Sequence, residues 1–194
     1  MKKKLFSIAL ILICLSLLAG KTYTYHRSSD KASQNTFTMG SVEVAPQQYE
    51  LRGNAQVPVT DGVLPVMPDA TISRVVTVKC MKEPAWVRMK YVLSAVDAKG
   101  NPISIKPERM EKMIRIDADT DHWTYRDGWW YYQSPLDSRE STLPLFEQIT
   151  FYGPYITNEF QNATVTMDFV AQAVQLANNG DGKDVFTAAG WPEA

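Results

Sequence analysis

Two cysteines and two histidines in 194 residues leave little material for a redox or metal centre. Cys14 lies in a leading apolar run, so Cys80 stands alone afterwards and no intramolecular disulfide can close beyond that run. Ile13 precedes Cys14 where lipidation would want a small residue, and Cys80 ends an apolar alternation, which predicts a buried free thiol. His26 and His122 are the only histidines, no H-E-x-x-H occurs, and the neighbours of His26 in the arm supply no second ligand at helical spacing, which argues against a zinc protease. The chain also lacks a nucleophile elbow, a phosphate-cradling glycine loop and a Cys-His pair. No acidic residue occurs in the first 24 positions, which hold four of the 20 basic residues: Lys2, Lys3, Lys4 and Lys21. The remainder carries 16 basic against 21 acidic residues, a net charge of −5 that disfavours a polyanion such as nucleic acid. The one long apolar run, Leu5 to Ala19, is shorter than the ~20 residues of a spanning helix.

That run, with its basic lead and Gly20 behind it, has the layout of an export signal over 1–24. The chain therefore meets the membrane only before the signal is cut, and its destination is outside the cell. Residues 25–34 are polar and aperiodic, a mobile N-terminal arm, and 35–194 is long enough for one domain with a sizeable core.

Period-2 alternation dominates that domain. Phe37, Met39, Val42 and Val44 form a short strand that changes phase at Gly40-Ser41, which suggests a bulge. The four prolines between Ala45 and Ala70 predict loops and short edge strands. Thr71 to Cys80 reads as a strand with Ile72, Val76, Val78 and Cys80 on one face and Arg74 interrupting. In Ala85 to Ala95, odd-numbered apolar residues alternate with Trp86, Arg88, Lys90 and Ser94, a half-buried antiparallel pattern. A turn over 97–102, a short helix opened by Pro107 and running to Met113, and a strand at Ile114 and Ile116 follow. Ala163 to Leu176 alternates as a long strand, although Val170 and Val174 leave helix open for its second half. Asp184 is placed to cap a short terminal helix ending at Gly190-Trp191.

Trp123 to Arg126 and Trp129 to Tyr132 flank Asp127-Gly128, the best hairpin signal in the chain, since Asp-Gly supplies the positive φ of a type I′ turn. Its aromatic residues read plainly as cross-strand pairs, and more sharply as a sugar-stacking platform through Trp129 and Trp130. Asp117, Asp119 and Asp121 make a D-x-D-x-D run. His122 and Gly128 stand where an EF-hand needs Gly and Glu, so a solvated acidic loop is the plain reading and weak calcium binding the alternative. Asn162-Ala163-Thr164 matches a glycosylation acceptor, taken as chance in a chain with a bacterial-looking signal. The whole pattern predicts an all-β, jelly-roll-like β-sandwich with short helical insertions.

Thr22-Tyr23-Thr24, then Tyr25, then Asn35-Thr36-Phe37-Thr38-Met39-Gly40-Ser41-Val42 resembles the junction of the TasA and camelysin family of Firmicutes. Ser141-Thr142-Leu143-Pro144-Leu145-Phe146 is similar to a Thr-x-x-Leu-Phe run of its clostridial members. The resemblance implies cleavage between Thr24 and Tyr25 by a SipW-type signal peptidase. It further implies a secreted, non-enzymatic biofilm-matrix or cell-surface fibre subunit whose partner is itself, with an accessory anchoring protein in some members. The candidate assembly strand is Asn35, Thr36, Phe37, Thr38, Met39 and Gly40, lying in another subunit's sheet. No cofactor is expected beyond weak calcium. Two other classes remain in view: a secreted carbohydrate- or surface-binding module, and a camelysin-like metalloprotease for which no zinc motif is present.

Overall fold

The computed structural model describes residues 37–39, 42–59, 62–64, 66–160, 162–180 and 182–192, all within the compact unit Gln34–Ala194. The export signal, its cut at Thr24 and Tyr25, the arm, and Asn35, Thr36 and Gly40 lie outside the described residues. Eleven strands are described: β1 (Phe37–Met39), β2 (Val42–Arg52), β3 (Ala55–Pro58), β4 (Val63–Leu64), β5 (Thr71–Cys80) and β6 (Ala85–Val96) come first. After the one α-helix among the described residues, α1 (Pro107–Met113), come β7 (Ile114–Ile116), β8 (Trp123–Arg126), β9 (Trp129–Tyr132), β10 (Phe146–Phe151) and β11 (Thr164–Gln175). All pairings are antiparallel, and the chain is an all-β sandwich. One sheet runs β1-β2-β5-β10-β7 with β3 also on β2, and the other runs β4-β11-β6-β9-β8. Among the described residues no helix is long and apolar enough to cross a membrane.

The spine of the second sheet is the β6–β11 ladder, unbroken from Thr164 opposite Val96 to Gln175 opposite Ala85. Strand therefore continues through Val170 and Val174, and the helical alternative for that half does not form. Val87, Met89 and Leu93 of β6 and Val165, Met167, Phe169 and Ala171 of β11 enter the core, where Val76, Val78 and Cys80 of β5 and Phe146 and Ile149 of β10 meet them. Phe146 spans the layers, standing edge-on to Tyr91 at 6.4 Å and lying 6.0 Å from Phe169.

Three expectations are corrected. The segment around Gly40-Ser41 is no bulge in one strand: Met39 pairs with Val42 and Phe37 with Val44, so the chain reverses between them. The odd spacing of those pairs produces the change of phase. Second, the proline-rich stretch does not begin as loop, because β2 runs through Pro46 to Arg52. Val78 directs its amide and carbonyl to Thr142, and Val76 its carbonyl to Leu145. Their neighbours on β5 therefore bond β2, and Pro46, opposite Val78, turns its donorless nitrogen to the outer edge, where no ladder bond is lost. Third, the predicted terminal helix shrinks to a single 3-10 turn, Val185–Thr187, where the Asp184 carboxylate accepts from the Phe186 amide. The helix opened by Pro107 and the strand at Ile114 form as predicted. Strand β10, which no alternation announces, lies inside its sheet between β5 and β7.

Candidate functional site

The aromatic hairpin forms in the predicted register, with Tyr125 opposite Trp130 and Arg126 opposite Trp129. Asp127 at φ 51° and Gly128 at φ 82° supply the two left-handed residues its turn requires. Alternation then sends the aromatic residues to two places. Trp123 and Tyr132 pack together in the core, 5.0 Å apart. Trp129 and Tyr131 face the other way, onto the outer surface of the β4-β11-β6-β9-β8 sheet, and join Trp86, Val174, Val185 and Ala188 in a second apolar cluster. Trp129 and Trp130 thus lie on opposite faces, and Trp129 is buried, so the pair cannot form one stacking platform.

At the centre of the second cluster sits Arg88, a polar-face residue in the sequence alternation and buried in the structure. Its guanidinium donates to Gln172 Oε1 at 2.7 and 2.9 Å, to the Tyr131 hydroxyl at 2.9 Å and to the Pro192 carbonyl at 2.9 Å. It also lies 4.3 Å from the Trp129 ring centroid and 4.8 Å from that of Trp191. A planar fork of donors between two indoles suits Arg and not Lys. The result is a latch that holds the C-terminal segment against the sheet. Asn179 adds a second clasp through a two-way amide exchange with Ala189.

Tyr125 and Trp130 continue the core face of the hairpin beyond the core, their rings 5.0 Å apart at 49°. They border a groove of about 450 Å³ whose lining includes Tyr91, Glu111, Ile114 and Arg115. Burial chiefly, and then the charges of Tyr125 and Glu111, hold the Tyr91 phenol above its ordinary value.

The acidic run is committed to local structure. Asp117 Oδ1 accepts from the amides of Glu147 and Gln148, Asp119 Oδ1 from those of Asp121 and His122, and Asp119 Oδ2 lies 2.8 Å from His122 Nδ1. Among the described residues no three His, Cys, Asp or Glu side chains group as a metal site. Cys80 is buried and free as expected, with Sγ donating to the Glu83 carbonyl at 3.1 Å. Asn162 sits in a turn at φ 59°.

Two edges bear on assembly. Of the candidate assembly strand, Phe37, Thr38 and Met39 form β1 and pair with the chain's own β2. Glu43 gives its carbonyl to the Met81 amide, on the β5 side, so Thr38 opposite it turns its own amide away from β2. The second edge belongs to β11, which β4 covers only at Val165 and Thr166, with one further bond from the Met167 amide to the Gly62 carbonyl. Ala85 exchanges bonds with Leu136, so the odd-numbered residues of β6 face away from β11 and the even-numbered ones bond it. Phe169, Ala171 and Ala173 therefore direct their main-chain groups to the side beyond β4, where no strand among the described residues pairs with them, although all three residues are buried. No sequence signal distinguishes this edge, because a strand's periodicity does not say how many neighbours it has.

Comparison with protein-family models, with curated proteins and with solved structures finds no match.

Proposed function

We propose that the protein is a secreted structural subunit of biofilm-matrix or cell-surface fibres, built by adding a strand of one subunit to the sheet of the next. The observation that carries this reading is the β11 edge, which no strand among the described residues pairs beyond Met167. Phe169, Ala171 and Ala173 direct main-chain donors and acceptors to that edge, and each residue is at most 2% exposed, so an added strand would meet them in a covered environment. Such a row is a ready template for an extended chain, which supplies hydrogen bonds through its backbone and specificity through alternate side chains. The donor is the polar arm before β1, residues 25–34, set free when the signal is cut at Tyr25. Contacts of this head-to-tail kind do not close, so they propagate as filaments.

The test is hydrogen exchange on secreted protein whose N-terminus has been read, combined with electron microscopy. Assembly is expected to slow exchange at Phe169, Ala171 and Ala173, and deletion of 25–34 to leave a folded monomer without filaments. Filaments that survive the deletion, or that leave these three amides unprotected, would refute the strand-addition mechanism. Absence of any self-association by the intact mature chain would refute the structural role itself.

A further inference from the structure

We propose that the groove between the β8–β9 hairpin and the α1–β7 segment binds a neutral, gluco-configured saccharide. Tyr125 and Trp130 meet at 49°, giving a bent aromatic wall, and Tyr125 is 57% exposed although nothing in the fold requires a large ring there. A pyranose with equatorial hydroxyls presents axial C–H groups on its faces, which suit the electron-rich face of an indole or phenol. Its hydroxyls project sideways, towards groups that both donate and accept. The groove supplies such groups in the phenols of Tyr91 and Tyr125, and a pure acceptor in the carboxylate of Glu111, with Tyr125 and Glu111 close enough to influence Tyr91 electrostatically. Its volume of about 450 Å³ falls within the range of roughly 300–1,000 Å³ usual for small-molecule sites.

The placement of donors favours a neutral over an acidic sugar. Two cations border the groove, but Lys90 places its ammonium 4.4 Å from the Trp129 ring centroid, and Arg115 bonds Tyr152. Both keep their charge but direct their donors to other aromatic groups, Lys90 on the opposite face of the sheet, so the charged group left to meet a sugar's hydroxyls is the Glu111 carboxylate. Apolar Ile114, Ile116 and Met110 complete the lining and leave no ring of donors for a phosphate.

The experiment titrates the full mature chain with cellotetraose, chitotetraose, maltotetraose and tetragalacturonate, reading tryptophan fluorescence and heat. At least one of the three neutral oligomers is expected to give a saturable change. Trp130→Ala and Tyr125→Ala should each weaken it about tenfold, the scale of one lost aromatic contact, and Glu111→Gln should weaken it too. Trp191→Phe, on the opposite face of the sheet, should leave it unchanged. Tyr125 and Glu111 are exposed, so their variants keep the test decisive if Trp130→Ala fails to fold. No response to any neutral oligomer, a response to tetragalacturonate alone, or binding indifferent to Tyr125→Ala and Glu111→Gln would overturn the assignment. Monomer suffices for every measurement, so failure here is separable from failure to form filaments.

Discussion

Pro46 lies directly opposite Val78, and the two exchange no hydrogen bond. That pairing lets a buried proline sit inside an 11-residue strand without breaking it. Its neighbour Gln47 is in the opposite phase and bonds Thr77. Gln47→Pro should therefore lower stability by about 1–3 kcal/mol, the cost of leaving a ladder group unpaired. Pro46→Val should keep the monomer folded while restoring an outward N–H, and so increase non-specific association. Urea titration and light scattering on both variants check this, and equal destabilisation would contradict the assigned phase.

Arg88 is the second point of leverage. Arg88→Met removes four donated bonds at once and strands the Gln172 and Pro192 oxygens, so a loss of about 1–3 kcal/mol is expected. Release of the C-terminal segment should accompany it, seen as faster proteolysis beyond Asn179. Arg88→Lys should not rescue, since an ammonium cannot fill a planar slot between Trp129 and Trp191. Full rescue by Lys would show that charge alone matters.

Cys80 should resist thiol reagents in the native state and react on unfolding. Burial pushes its thiol above the ordinary 9.0, and the nearby charges of Glu83 and Asp137 add to this, against backbone hydrogen bonds that lower it. Tyr91 is likewise raised above 10.0, chiefly by burial. A group whose folded value is raised keeps its proton longer in the folded state. Its contribution is complete below the unfolded value and declines as pH rises through the folded one. Melting temperature should consequently fall as pH climbs past 9 and again past 10, and Cys80→Ala should remove the first decline. A melting temperature that rises over this range would reverse the sign and refute the burial argument.

Two glycines of the loop before the C-terminal segment separate backbone strain from crowding. Gly180 and Gly182 both have φ in the left-handed region, at 63° and 69°. A Cβ on Gly182 would meet nothing within 4 Å, whereas one on Gly180 would come within 2.9 Å of the Thr187 carbonyl oxygen. Gly182→Ala should cost about 1 kcal/mol for the left-handed conformation alone, and Gly180→Ala clearly more. Thermal melts of the pair measure the difference, and equal losses would mean that the loop yields freely.

Local signals were legible where the physics is local. Asp127-Gly128 marks its own turn, Pro107 its own helix start, and Asp184 its own cap, because each acts on the few residues around it. Strand β10 carries no such mark. Phe146, Ile149 and Phe151 are all buried, but the register shifts between Phe146 and Gln148 and breaks the alternation by which a strand is recognised. The preceding Thr142 and Leu145 already follow β5 through bonds to Val78 and Val76, without regular pairing.

The amino-acid sequence by itself determined that the domain is built of strands, where the tight turns fall, and that Cys80 is buried. These follow from period-2 alternation and turn chemistry, which a few neighbouring residues set. Only the tertiary structure decided which side of a strand meets another chain segment. It buried Arg88 and Trp86 beneath the C-terminal segment, turned Trp129 away from Trp130, and directed the missing donor of Pro46 to an open edge. It also left the outer side of β11 beyond Met167 without a strand partner among the described residues. Alternation separates the two faces of a strand, but the cover on each face and the partner on each edge come from segments up to about a hundred residues away, as with Arg88 and Pro192.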